Sequence, residues 1–196
     1  NGTGDDMPSV FLPEGVLDIE RLKRALQALV DRHEPLRTSF AEIDGSPVQK
    51  VHDKADIELK VTLVQEGEAE KEISRFIRPF DISSAPLIRA ELLSVGRQRH
   101  LLLIDTHHII ADGVSRSLFV KEIARLYRGE SLPERKLHYK DYAVWQTGPA
   151  QRETIRKQEQ FWLNEFSEAV PELGLPLDFP RSPVQSFSGD QVHFKT

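Results

Sequence analysis

Residues 99–105 (Arg-His-Leu-Leu-Leu-Ile-Asp) carry a nearly continuous apolar run, and no other stretch constrains the fold as strongly. Four successive apolar residues without polar alternation suit a strand covered on both faces. The run is far short of the roughly 20 residues a transmembrane helix needs. Residues 87–95 supply the other arm of a hairpin. Around it the pattern alternates between strand and helix. Residues 8–12 read as a short strand. Asp18 is placed to cap a helix whose apolar residues Leu22, Ala25, Leu26, Leu29 and Val30 make one stripe. Pro35 ends that helix, because the residue before a proline is driven out of the helical region. Residues 37–43 and 47–52 form strand-like runs joined by Asp44-Gly45, a dipeptide suited to a tight turn with positive φ. Residues 57–64 alternate as a half-buried strand does, and helical stretches are expected near 67–77, 138–147 and 151–169. Leu118, Phe119, Ile123, Leu126 and Tyr127 stripe a further helix that Gly129 stops. The sum is an α+β architecture: antiparallel hairpins with helices packed on one side.

From Leu173 the texture turns to proline, serine and glycine, as in a linker, and residues 190–196 begin to alternate again. Residues 1–172 are therefore expected to form one lobe and 173–196 a crossing segment. The 196 residues hold 26 Lys and Arg against 31 Asp and Glu, net −5, without the basic excess of a nucleic-acid binder. With no cysteine in the chain, disulfide frameworks, thiolate zinc sites and cysteine nucleophiles are all excluded. The first residues, Asn1-Gly2-Thr3-Gly4-Asp5-Asp6-Met7, lack the regions of a signal peptide and do not start with methionine. A cytoplasmic location away from membranes, and origin as a piece of something longer, are the resulting expectations.

The apolar run leads directly into Asp105-Thr106-His107-His108-Ile109-Ile110-Ala111-Asp112-Gly113. A strand exit is a rigid place from which to aim a side chain. Neighbouring side chains on an extended segment face opposite ways, so if His108 faces a cleft, His107 faces packing. Three readings compete. Imidazole as a class titrates near neutrality, so His108 could act as a general base. His107, His108 and Asp112 could hold a metal, but opposite-facing adjacent histidines make poor joint ligands. Both histidines could instead be hydrogen-bonded structural residues. Elsewhere, Arg32, His33 and Glu34 read as capping or surface pairs. His52, His100, His138 and His193 are single, and Tyr139, Asp141, Tyr142 and Trp145 read as a core stripe. Ser115 and Ser117 lack the Gly-x-Ser-x-Gly elbow of a serine nucleophile. No phosphate-binding glycine loop occurs.

His107 to Gly113 resembles the His-His-x-x-x-Asp-Gly motif of condensation domains of nonribosomal peptide synthetases, relatives of chloramphenicol acetyltransferase. Arg32-His33-Glu34-Pro35-Leu36-Arg37-Thr38-Ser39-Phe40 resembles the family's Arg-His-Glu-x-Leu-Arg-Thr-x-Phe segment. Tyr139-Lys140-Asp141-Tyr142-Ala143-Val144-Trp145 resembles its Tyr-x-Asp-(Phe/Tyr)-Ala-Val-Trp segment. One motif would be weak, since wax-ester synthases and polyketide-associated acyltransferases share it, but three in register from residue 32 to 145 are specific. The family's opening Ser-x-Ala-Gln-x-Arg motif and the later Phe-Val-Asn-Thr and Arg-rich segments are missing. The chain thus looks like the N-terminal lobe of a chloramphenicol acetyltransferase-like domain about twice as long.

The resemblance implies amide formation. The amine of an aminoacyl thioester on a downstream peptidyl carrier protein would attack an acyl or peptidyl thioester on an upstream one. Both substrates would ride on 4′-phosphopantetheine arms of those carriers, with no cofactor or metal bound by the lobe itself. It further implies His108 at the reacting centre, as proton acceptor or as the group that positions the amine. His107 would pack and orient, and Gly113 would permit a conformation or close approach that a Cβ obstructs. Arg37 would pair with Asp112 to brace the loop, the competing view being a solvated Asp112 that caps the helix after Gly113. Expected partners are the two carriers, the C-terminal lobe and a neighbouring adenylation domain. An epimerisation domain or another acyltransferase with the same motif stands as the alternative. A lobe that docks carriers without activity of its own is the non-enzymatic one.

Overall fold

The computed structural model describes residues 4–13, 15–65, 67–95, 99–171, 173–180 and 183–184. It divides into two compact units, Asn1–Tyr142 and Ala143–Thr196. The expected strand at 190–196 and much of the expected crossing segment at 173–196 lie outside the described residues.

The first unit is built on a four-stranded sheet and a separate hairpin. β1 (Ser9–Phe11), β6 (Arg99–Thr106), β5 (Ile88–Val95) and β4 (Leu59–Leu63) lie side by side in that order. β1–β6 and β6–β5 are antiparallel, whereas β4 runs parallel to β5. The parallel pair exists because α2 (Ala69–Phe76) connects its strands, and a parallel connection needs such a crossover. Alternation along β5 and β6 then sends side chains to two cores. Leu92, Leu102 and Ile104 join α1 (Ile19–Arg32) and α3 (Gly113–Tyr127), while Leu93 and Leu103 meet Phe76 and Ile73 of α2. The central strands are therefore covered on both faces, as their apolar run requires. The expectation that helices pack on one side only is corrected by α2. Each fully buried leucine here contributes about 2 kcal/mol.

Local signals explain the elements. Asp18 accepts from the Arg21 N–H at 2.9 Å and starts α1, whose five stripe residues are all buried. Asp44 and Gly45 take φ of 50° and 74°, the geometry that lets β2 (Thr38–Ile43) turn tightly into β3 (Ser46–Val51). At the end of α3, Gly129 has φ 82°, and its N–H and that of Glu130 donate to Leu126 O and Arg125 O. That is the Schellman ending that a glycine permits.

α3 departs from its expected stripe. Leu118 is exposed and Glu122 is buried among Phe119 and Ile123. α4 (Tyr139–Thr147) has no buried residue, so Tyr139, Tyr142 and Trp145 are exposed rather than core. α5 (Pro149–Glu165), in the second unit, likewise buries none. No helix among the described residues is long and apolar enough to cross a membrane.

Candidate active site

β6 stays extended through Thr106, and the chain then turns over residues 108–110 before α3 begins. Backbone hydrogen bonds tie the turn to its neighbours. The His107 N–H donates to Leu87 O at 3.1 Å, the His108 N–H to Asp5 O at 2.7 Å, and the Ile110 N–H to His107 O at 3.1 Å. His107 is half-buried. Its Nδ1 accepts the Ile109 N–H at 3.0 Å, and its ring meets the edge of Phe80 with centroids 6.1 Å apart. His108 points the other way and is exposed, making no side-chain hydrogen bond to any described residue. With Asp112 and Ser115 it lines a pocket of about 260 Å³ whose other walls are Thr38, Phe40 and Gln49 of the β2–β3 hairpin and Tyr139. Three sequence segments far apart in the chain thus converge on one cleft.

Asp112 is the N-cap of α3. Its Oδ1 accepts the Ser115 N–H and the Ser115 Oγ–H, each at 2.7 Å. The Ser115 hydroxyl and then its N–H hold the carboxyl below the usual carboxylate range. Arg37 turns elsewhere: its guanidinium donates to His52 O and lies 3.6 Å from Glu34 Oε1. The expected Arg37–Asp112 bridge is therefore not formed, because a cap must face the free N–H groups of its own helix. Gly113 is also corrected. Its φ is not positive, and a Cβ there would meet nothing within 4 Å.

The Arg-His-Glu segment is not a surface pair. His33 and Glu34 are buried. The His33 Nε2–H donates to Glu122 Oε2 at 2.6 Å, Arg32 Nε reaches the same oxygen at 3.2 Å, and Arg135 Nη2 lies 3.4 Å from Oε1. Burial alone would raise the Glu122 pKa, but the His33 bond and the charges around it hold it below normal. Burial lowers His33 more than Glu122 raises it. Glu34 accepts from Lys140 Nζ at 2.7 Å and so ties the segment to the start of α4. A second cluster lies behind the histidine turn, where Asp105, fully buried, faces Arg89. Sequence patterning missed both. The signal for the first was available, since Glu122 sits three residues after Phe119 and four before Leu126, on the apolar stripe itself. Among the described residues no group of three or more His, Cys, Asp or Glu could hold a metal ion.

The architecture and motifs agree with known proteins. The family model described as "Condensation domain" matches residues 3–196. The chain is 56% identical over 191 residues to surfactin synthase subunit 2 of Bacillus subtilis (strain 168), covering 97% of this chain and 5% of that protein. It is 50% identical over 194 residues to tyrocidine synthase 3 of Brevibacillus parabrevis, covering 99% of this chain and 3% of the other. Among solved structures, the X-domain from teicoplanin biosynthesis superposes with a TM-score of 0.79 at 28% identity, over 91% of this chain and 42% of that one. The chain spans a small part of the curated relatives and under half of that solved chain.

Proposed function

The chain belongs to the condensation-domain family, and on that premise we propose that it carries the reaction centre of a peptide-bond-forming acyltransferase in a nonribosomal peptide synthetase. The observation that carries this is His108, aimed from a rigid strand exit into a cleft shared by all three motif segments. The amine of an aminoacyl thioester on a downstream carrier attacks the thioester carbonyl of an acyl or peptidyl group on an upstream carrier. A C–N bond forms, the C–S bond breaks, and the donor carrier's thiol leaves with a proton. His108 takes up the amine's proton or holds the amine by a hydrogen bond while charge develops. Orientation of two tethered reactants supplies much of the rate, roughly 7–11 kcal/mol in favourable cases.

Both substrates are held on 4′-phosphopantetheine arms of the partners. The chain has no cysteine, so every thiol of the thioester chemistry comes from them. Upstream and downstream peptidyl carriers, a C-terminal lobe and a neighbouring adenylation domain are the partners that this reaction requires. The lobe at residues 1–172 is expected to be inactive alone, because the chain spans only 42% of a related solved chain. The test is the full-length protein given a loaded donor and a loaded acceptor carrier. Amide product on the acceptor supports condensation. Inversion of a single aminoacyl thioester without amide formation identifies an epimerase instead.

A further inference from the structure

We propose that Asp105, Arg89 and Phe80 form a positioning unit that fixes the turn carrying His108, so that a group buried within the sheet determines where the imidazole points. This rests on the assignment of His108 above. The argument begins with the cost of Asp105. A carboxylate in a sheet interior is expensive unless it is balanced, yet Asp105 is 0% exposed and lies three residues before His108. It stands opposite Arg89 in the β5–β6 register, with Arg89 Nε 3.3 Å from Asp105 Oδ2. The pairing is incomplete. Neither Asp105 carboxyl oxygen nor Arg89 Nε has a hydrogen-bond partner among the described residues, so Asp105 alone does not immobilise the guanidinium.

Three further contacts do, and they lead to the histidine turn. The Arg89 Cζ sits over the Phe80 ring, 3.5 Å from its centroid, within cation–π reach, and the same ring packs edge-on against His107. Arg89 Nη2 donates to Arg78 O, which holds the Phe80 segment in place. On the other side, Asp6 Oδ2 lies 4.0 Å from Arg89 Nη2, and Asp6 bridges to His107 while its neighbour Asp5 accepts the His108 N–H. The turn is thus gripped by a ring from one side and by a strand from the other. Arg89 touches both grips. Because the His108 side chain is not tied by hydrogen bonds to any described residue, its direction follows that of the backbone, and the backbone is set here.

The test uses the full-length protein with both carriers loaded. Asp105→Asn keeps shape and removes charge. Phe80→Leu keeps apolar bulk and removes the ring, and Phe80→Tyr keeps the ring. We expect kcat to fall about tenfold for Asp105→Asn and for Phe80→Leu, with KM for the loaded acceptor carrier within about twofold of wild type. Phe80→Tyr keeps kcat within about twofold of wild type, and the Asp105→Asn/Phe80→Leu double variant loses no more than about tenfold, because the residues act as one unit. Wild-type kcat in Phe80→Leu, equal losses in Phe80→Leu and Phe80→Tyr, or multiplied losses in the double variant would overturn the proposal. If Asp105→Asn does not fold, the two Phe80 variants decide. His108→Ala, assayed in parallel, separates the layers. An inactive His108→Ala beside a normal Phe80→Leu rejects only the positioning unit, and an active His108→Ala rejects the assignment of His108 and the unit with it.

Discussion

Around Glu122 one carboxylate meets two guanidiniums and an imidazole, whereas around Arg89 one guanidinium meets two carboxylates. Both clusters are buried, and both brace elements that carry the cleft, but they are balanced in opposite senses. The Glu122 cluster has cations in excess, so its carboxylate titrates below the usual range. In the Arg89 cluster burial outweighs a single cation, with Asp6 adding repulsion, and Asp105 is pushed up to about 6. The first is a fixed fastening that joins α1, α3 and the segment before α4. The second is held close to its titration range, directly behind the histidine turn. Buried charge therefore serves as mortar in one place and as a tuned support in the other.

The difference is open to direct attack. Glu122→Ala strands the half-buried Arg32 and Arg135 charges beside buried His33, and a loss of about 3 kcal/mol in urea-induced unfolding, the low end for a broken buried pair, is expected. A loss near zero would show the cluster to be solvated and the contrast to be false.

The next effect is in pH dependence. Asp105 has its folded pKa raised from 3.8 to about 6, so its contribution favours the fold below pH 4 and disappears as pH rises through 6. Across that window the group contributes about 3 kcal/mol. His33 and Glu122 have the opposite sign. His33, lowered by burial, contributes fully above pH 6.5 and loses its share as pH falls below it. Glu122 follows below 4.5. Stability measured from pH 4 to pH 7 should therefore rise less steeply with pH in wild type than in Asp105→Asn. Parallel profiles would remove Asp105 from the titrating groups.

The cleft edge gives the smallest responses. Asp112→Ala removes a cap from an exposed helix start, and its loss should fall well below that of Glu122→Ala by the same unfolding measurement. An equal loss would restore the buried partner that the structure does not show. Gly113→Ala should change stability by no more than about 0.5 kcal/mol, since a Cβ there meets open space.

Much of this arrangement is legible in the residues. The α1 stripe, the Asp44-Gly45 turn, the double-sided β6 and the His-His turn follow from periodicities of two and 3.6 with a few turn rules. The two charge clusters do not follow from those rules, for different reasons. Glu122 is a local anomaly, a charge on an apolar stripe, and its meaning depends on His33 lying opposite it just past the end of α1. Asp105 requires the hairpin register: once Val95 stands opposite Arg99, Arg89 stands opposite Asp105. The Arg37–Asp112 bridge came from resemblance, and the Ser115 N–H and hydroxyl that occupy Asp112 instead lie only three residues away. Local backbone demand outcompeted the distant partner. The exposed aromatic residues of α4 are a third kind of case. Their spacing reads as core, and nothing in spacing distinguishes a face buried within a unit from one left open.

The most direct test joins chemistry to stability at His108. Single-turnover amide formation and the thermal midpoint are measured on the same His108→Ala preparation of the full-length protein, with both carriers loaded. Because His108 is exposed and its side chain is bonded to no described residue, the midpoint should not move, while the rate falls by about 100-fold or more. A rate close to wild type, or a loss of rate that tracks a lowered midpoint, would contradict a chemical role for His108 in the cleft.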